Sequence, residues 1–226
     1  MVLTREAGRN EQLRAWVGEG VDVAEVALTE THFVDDATLE ASLDAHRRQP
    51  WRSLVITSAR AARAATLASE RCDPDVELFS VGAATTAALA NAGLATPVAQ
   101  SSAGALALAA QVRHSPVLVL GAAQLRRDLA DALVARGLGV HVVACYETRG
   151  VELDAAQCAT LADGDVVVVG APSAWRVARD VVGPHTWVVV PGATTAAVVR
   201  VTHERVLEGW GPSLGGRLAA LEREAD

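Results

Sequence analysis

One short segment occurs twice in the chain, about half a chain apart, and each copy directly follows an apolar run. Gly82-Ala-Ala-Thr85-Thr86-Ala87-Ala88 returns as Gly192-Ala-Thr194-Thr195-Ala196-Ala197. Residues 54–63 parallel residues 167–176 at nearly the same spacing. We therefore predict two similar halves, which would form a cleft if they faced each other.

The composition is that of an ordinary folded protein. Half of the 226 residues are apolar and 21% are charged, and this length allows one large domain or two small ones. The repeat favours two. No apolar run approaches the roughly 18 residues of a membrane span, and no apolar segment follows a basic start. We expect a cytoplasmic chain with no membrane partner.

Charge and residue usage exclude several function classes. The net charge of −7 argues against nucleic-acid binding, which requires basic patches. All 20 basic residues are arginine, and the lack of lysine excludes a Walker A phosphate loop and a lysine Schiff base. The three cysteines form no CxxC and are interpreted as reduced packing residues.

No cofactor is expected from the motifs. The six histidines show neither HxH nor HExxH spacing, which disfavours a metal site. No G-x-G-x-x-G follows an apolar run, so the dinucleotide fingerprint is also missing.

Short β-branched runs alternate with stretches whose apolar residues recur at helical spacing, which predicts α/β folding with parallel sheets flanked by helices. Runs such as residues 166–169 are apolar throughout, as in sheets buried on both faces. We predict helices over 36–48 and 124–136. The predicted strands are 1–4, 21–27, 53–57, 76–81, 116–120, 139–145, 165–169 and 186–190.

The two Gly-x-x-Thr elements predict anion sites. A glycine-led helix start offers unpaired backbone N–H groups beside a hydroxyl, and carboxylates bind there. Gly82 with Thr85, and Gly192 with Thr194 and Thr195, are therefore candidate substrate-binding residues. The alternative is that the threonines simply cap their helices.

Ser58 and Ser173 also follow apolar runs and open Ala/Arg-rich stretches, so they are candidates for the same edge. Capping is again the alternative. A hydrolase with Ser173 as nucleophile is disfavoured, because residues 170–174 do not form a G-x-S-x-G elbow.

Tyr146, the only tyrosine, directly follows the predicted strand 139–145, where its phenol could donate a proton to a leaving hydroxide. The alternative is a packing role. Arg5 and Arg149 also lie near strand ends, where guanidinium groups hold carboxylates; Arg60 and Arg127 share that placement.

These motifs, taken in order, resemble the uroporphyrinogen-III synthase family over nearly the whole chain. The segments that carry the resemblance are residues 2–5, 56–59, 81–85, 140–149, 171–174 and 192–196. The resemblance implies two similar α/β domains, joined by a two-stranded connector with a cleft between. One domain combines residues 1–30 and 151–226, the other spans 37–143, and the connectors are 31–36 and 144–150.

The resemblance also implies an activity. Members of the family are lyases that need no cofactor and act in heme biosynthesis. Their substrate is hydroxymethylbilane, a small linear tetrapyrrole. They close it to uroporphyrinogen III and invert ring D through a spiro intermediate. Tyr146 corresponds to the tyrosine thought to assist hydroxide departure, and a monomer is expected.

Departures from the family pattern leave an alternative. Gly170 and Ala171 replace the usual Thr-Ser pair, and Arg60 stands where asparagine is common. A diverged, non-catalytic module that binds a tetrapyrrole or another anion is the alternative.

Overall fold

The structure is a computed structural model that describes residues 1–18, 20–46, 49–94, 99–101, 105–124 and 127–225. Its contacts divide the chain into two units. Unit 1 comprises Met1–Glu30 and Arg149–Asp226, and unit 2 comprises Thr31–Thr148.

The described strands, in chain order, are β1 (Val2–Leu3), β2 (Ala24–Glu25), β3 (Thr29–Phe33), β4 (Trp51–Ile56), β5 (Cys72–Val81), β6 (Ala99–Ser101), β7 (Val117–Ala122), β8 (Val140–Gly150), β9 (Val166–Val168), β10 (Trp187–Val190) and β11 (Val206–Glu208). The described α-helices are α1 (Glu11–Val17), α2 (Asp36–His46), α3 (Ala62–Ser69), α4 (Ala83–Asn91), α5 (Ala105–Ala109), α6 (Asp128–Ala135), α7 (Ala155–Ala162), α8 (Pro172–Ala178), α9 (Ala193–Val199) and α10 (Leu214–Ala225). A 3-10 turn, Ala59–Ala61, leads into α3.

The sheet of unit 1 has the strand order β11-β10-β9-β1-β2, and its pairings are parallel. Successive residues of a strand point to opposite faces. Val167 packs on one face with Trp175 of α8, and Val168 packs on the other with Leu13 of α1. Both faces are buried, which explains why β9 is apolar at every position.

The sheet of unit 2 has the strand order β3-β8-β7-β4-β5-β6, and the pairs β4–β5, β4–β7, β5–β6 and β7–β8 are parallel. Its faces are also divided by alternation. Leu54 and Leu118 pack in the cluster that contains Tyr146, whereas Val55 and Val117 pack on the other face with Leu129 of α6.

The predicted α/β class is confirmed, since both sheets are parallel-dominated and flanked by helices. Each predicted strand overlaps an observed one, although β4, β5, β7 and β8 extend beyond their predicted bounds. The strands β3, β6 and β11 were not predicted, and all three lie at sheet edges. An edge strand has a neighbouring strand on one side only and is less buried than a central strand. Its side chains therefore need not all be apolar, and the sequence shows no continuous apolar run.

The predicted helices are observed with shorter bounds, as α2 and α6. The last two residues of the first, 47–48, lie outside the described residues, as do residues 125–126 of the second.

The segments predicted as connectors carry strand structure. β3 covers residues 29–33 and β8 runs to Gly150, and these two strands are neighbours in one sheet. The two-stranded connector and the domain boundaries stay predictions. Among the described residues, no helix has the length and apolar character needed to span a membrane.

Candidate functional site

In open α/β sheets, ligands bind beyond the carboxyl ends of the strands, at the point where the strand order reverses. In unit 2 the chain moves from β4 outward through β5 to β6, then returns to β7 and β8 on the other side of β4. The reversal lies between β4 and β7. The residues that follow these strands are therefore candidates for a ligand-binding site.

Ser58 and Arg60 follow β4 directly. The Ser58 side chain caps the 3-10 turn, because its Oγ accepts a hydrogen bond from the Arg60 backbone N–H at 3.3 Å. The Thr57 backbone N–H and hydroxyl both donate to the Leu120 carbonyl of β7, each at 3.1 Å. These bonds fix the start of the helical segment against the neighbouring strand.

Tyr146 lies on β8, the strand beyond β7. Its partner across the ladder is Ala122, at an irregularity in the register, and its carbonyl accepts a hydrogen bond from Ala123 at 2.7 Å. The side chain is 6% exposed. Its ring contacts Phe33, with centroids 6.2 Å apart and planes tilted by 50°, and the Arg60 guanidinium carbon lies 5.7 Å from its centroid.

A small hollow opens beside this group. Phe33, Val34 and Cys145 line it together with Arg60 and Arg63. Arg63 forms an ion pair with Asp36 of α2. Burial raises the pKa of the Cys145 thiol to about 12, so this cysteine is a neutral packing group near neutral pH rather than a thiolate nucleophile.

The first Gly-x-x-Thr element follows β5. Gly82 is the N-cap of α4, and its carbonyl accepts from the backbone N–H groups of Thr85 and Thr86 at 3.1 and 3.2 Å. Ala83 and Ala84, the first two residues of α4, are exposed. Their backbone N–H groups have no acceptor within the helix, because the first turn of a helix leaves its amides unpaired. The Thr85 side chain is buried, so the accessible donors here are backbone amides.

In unit 1 the strand order reverses at β1, which has β2 on one side and β9 on the other. Thr4 follows β1, and its hydroxyl donates to the Val168 carbonyl at 2.6 Å. Arg5 comes next, at the reversal point. A Cβ on Gly170 would lie 3.9 Å from the Arg5 Cγ and 3.5 Å from Cη2 of Trp210. Arg5 and Trp210 thus both border Gly170.

The second Gly-x-x-Thr element follows β10 and repeats the bonding of the first. The Gly192 carbonyl accepts from Thr195 and Ala196 at 3.1 and 3.0 Å. Thr195 is buried, like Thr85, but Thr194 is exposed at the helix start. Ser173, half-buried, is the second residue of α8, whose N-cap residue makes no side-chain capping bond.

The structure therefore brings the predicted residues together in two groups. Ser58, Gly82 and Thr85 follow strands of the unit 2 sheet and Tyr146 lies within β8 of that sheet, whereas Arg5, Ser173 and the Gly192 element follow strands of the unit 1 sheet. Arg149 belongs to neither group. It lies near the end of β8 and its side chain is exposed.

Two aromatic residues in these groups were missed by sequence reasoning. Phe33, one of two phenylalanines, lies in a polar segment that was interpreted as a connector, and Trp210 follows the unpredicted strand β11. A bulky aromatic in an otherwise polar stretch is the signal that could have indicated either residue.

The sequence also matches a known family. Residues 12–206 match the family model of uroporphyrinogen-III synthase HemD, a span that contains every predicted site residue except Arg5. The chain belongs to this family. Uroporphyrinogen-III synthase activity, in heme biosynthesis, is thus its main function, and the chain is an enzyme that acts on a small molecule.

Solved structures of uroporphyrinogen-III synthases have the same fold. A mutant enzyme from Thermus thermophilus superposes with a TM-score of 0.65 at 16% identity, and the enzyme from Helicobacter pylori with 0.64 at 16%. In both comparisons the match covers 99% of this chain and 98% of the other. No curated protein matches the chain by sequence.

Proposed function

We propose that this uroporphyrinogen-III synthase is a lyase that closes linear hydroxymethylbilane to uroporphyrinogen III, inverting ring D through a spiro intermediate. The family match over residues 12–206 carries the proposal. The soluble, carboxylate-rich substrate suits a cytoplasmic enzyme, and we propose that the chain acts as a monomer.

The chemistry makes modest demands on the protein. The electron-rich pyrrole nitrogen expels the hydroxymethyl oxygen and leaves an azafulvene, and an acid placed beside that oxygen speeds the step by protonating it as it leaves. Closure at the unsubstituted carbon occurs without an enzyme and gives the type I isomer. The protein must therefore hold the chain of rings so that the substituted carbon attacks instead, which is a matter of orientation.

Tyr146 is proposed as the acid that protonates the departing hydroxide. It is the only tyrosine, and it lies on β8, next to β7 at the strand reversal of unit 2. Its ring is held by Phe33 and Arg60. A phenol held in a fixed position can donate its proton to the leaving oxygen as the C–O bond breaks. General acid catalysis of this kind contributes a factor of about 10² to 10⁴ in rate.

The remaining predicted residues are proposed to hold the substrate carboxylates. Two kinds of donor are available, backbone amides at helix starts and charged or hydroxyl side chains, and both bind carboxylates. The proposed substrate-binding residues are Ser58, Gly82, Thr85, Ser173, Gly192, Thr194, Thr195, Arg5 and Arg149. Thr85 and Thr195 are buried, and their backbone N–H groups donate to the Gly82 and Gly192 carbonyls, so we propose that they hold the helix starts whose free amides make the contact.

An isomer assay tests the function. Purified protein is incubated with hydroxymethylbilane, and the oxidised products are separated by chromatography. We expect the type III isomer in excess over the spontaneous type I. Type I alone would contradict the proposal, and tetrapyrrole binding without a change in isomer ratio would identify a non-catalytic module instead.

A Tyr146→Phe variant tests the acid. We expect the rate of type III formation to fall by about 10² or more, with KM nearly unchanged, because the ring remains and only the hydroxyl is lost. An unchanged rate would show that the phenol is dispensable and that orientation alone directs the product.

A further inference from the structure

The Arg60 side chain lies over the ring of Tyr146. Its guanidinium carbon is 5.7 Å from the ring centroid, within the distance at which a cation is attracted to an aromatic face. Tyr146 is buried and Arg60 is half-buried. A charge in such a partly desolvated place acts on its neighbour more strongly than the same charge in water.

The backbone places Arg60 there. Ser58 caps the turn, because its Oγ accepts a hydrogen bond from the Arg60 backbone N–H at 3.3 Å, and this bond stabilises the turn that carries Arg60. β4, β7 and β8 are consecutive neighbours in a parallel sheet, and the residues after β4 therefore lie near the end of β8. Phe33 contacts the same tyrosine ring.

The second arginine of the hollow is placed differently. Arg63 also lines it, but its guanidinium is engaged by the carboxylate of Asp36, and both side chains are about half exposed, at 60% and 46%. Among the described residues, Arg60 is the arginine whose guanidinium lies over the tyrosine ring, and Arg63 makes no such cation–π contact. It is therefore a matched control, since it has the same side chain in the same hollow but a different neighbour.

The proton transfer creates charge beside Arg60. When Tyr146 acts as the acid, its O–H bond breaks, the proton joins the departing hydroxide to form water, and the electron pair of the broken bond stays on the phenolate oxygen. The negative charge spreads into the ring that faces the guanidinium. An interaction that strengthens only as this charge forms lowers the barrier rather than the free energy of the bound substrate.

We propose that Arg60 is a positioning residue of the synthase reaction, which orients the Tyr146 ring and stabilises the phenolate that forms during loss of hydroxide. The inference rests on the proposed function. It assigns Arg60 a role through Tyr146 and not through a contact with the substrate.

A double-mutant cycle tests the inference. Arg60→Gln, Arg60→Lys and Arg63→Gln are made in the parent protein and again with Tyr146→Phe, and kcat and KM for type III formation are measured. In the parent, Arg60→Gln lowers kcat by about tenfold to a hundredfold with little change in KM. Arg60→Lys restores part of the loss, and Arg63→Gln leaves kcat within about twofold.

The decisive measurement is in the Tyr146→Phe protein. Without a phenol there is no phenolate to stabilise, so Arg60→Gln changes kcat by less than about twofold. An equal loss in both backgrounds, or a loss that appears only in KM, overturns the inference and leaves the synthase function standing. Formation of type I alone by the parent protein overturns both.

A spectroscopic measurement separates this role from a general effect on folding. Because the chain has one tyrosine, ¹³C-labelled tyrosine gives one set of ring signals. Arg60→Gln shifts those signals, whereas Arg63→Gln leaves them in place, and both variants keep the parent circular dichroism spectrum. Ring signals that respond equally to both substitutions would contradict the assigned contact.

Discussion

Gly82 and Gly192 begin the two copies of the repeated segment, and both serve as the N-cap of a helix at the carboxyl edge of a sheet. Their hydrogen bonds are nearly identical. Their backbones differ, however, because Gly82 has a φ of 80° and a ψ of 155°, whereas Gly192 has a φ of 177° and a ψ of −176°. Only the first conformation is reserved for glycine.

The surroundings do not account for this difference. A Cβ added at either position would meet no atom within 4 Å. A repeated sequence thus occurs on two backbones, and glycine is required by the backbone conformation in one copy only. In the other copy it leaves open space above the helix start.

The pair Gly82→Ala and Gly192→Ala is expected to show the largest difference. Gly82→Ala lowers the free energy of unfolding by about 1–3 kcal/mol, because alanine is strained at positive φ. Gly192→Ala changes the free energy of unfolding by less than about 0.5 kcal/mol, since an extended backbone accepts any residue. The N-cap preference for glycine over alanine applies to both sites, so it does not contribute to the difference between them. Urea unfolding followed by circular dichroism measures both, and equal losses would remove the distinction.

Ser58 and Ser173, one in each of the parallel segments 54–63 and 167–176, also differ in their local roles. Ser58 caps the 3-10 turn, whereas Ser173 is the second residue of α8 and has no capping role. Ser58→Ala is expected to lower the free energy of unfolding by about 0.5–2 kcal/mol, and Ser173→Ala to change it by less than about 0.5 kcal/mol. The same unfolding measurement applies. A larger loss at Ser173 would reveal a structural role that its position does not indicate.

The smallest expected effect on the free energy of unfolding comes from the carboxylate of Glu25 in unit 1. Hydrogen bonds from Asn10 at 3.0 Å and from Arg14 at 2.6 Å lower the pKa of its carboxyl below the ordinary 4.5. The unfolded chain therefore takes up a proton first as the pH falls, so this stabilisation is complete above pH 4.5 and is lost below it. The pair is partly exposed, which limits the contribution to about 0.2–1 kcal/mol.

Glu25→Gln tests this carboxylate. The variant is expected to be less stable than the parent at neutral pH and to lose less stability between neutral and acidic pH. Unfolding curves at several pH values measure the difference, and the exposed Glu204→Gln serves as control. A parallel pH dependence in parent and Glu25→Gln would show that the hydrogen bonds do not act through ionisation.

The central strands were predictable because both of their faces are buried. β9 is apolar at every position, and its alternate residues enter two different hydrophobic clusters. Strand β3, Thr29–Phe33, gave no such signal because it is polar and half-exposed at a sheet edge. The strand β3 pairs with its neighbour through backbone hydrogen bonds, and these do not depend on apolar side chains, so the pairing leaves no pattern in the sequence.

The candidate site was predictable in part for a similar reason. Glycines and hydroxyls after apolar runs indicate the carboxyl edge of a parallel sheet. The same pattern cannot tell which of two adjacent threonines faces solvent, and here Thr194 is exposed while Thr195 is buried. Nor does it show that Trp210 borders Gly170, because that contact joins segments far apart in the chain.

By itself, the sequence determined the class of fold, the positions of the buried strands and the residues available for chemistry, since burial pattern and composition are local properties. Only the tertiary structure decided which of those residues are neighbours. Arg60 and Tyr146 meet because β4, β7 and β8 lie side by side in one parallel sheet. Strand order depends on the packing of the whole unit, and no segment encodes it alone.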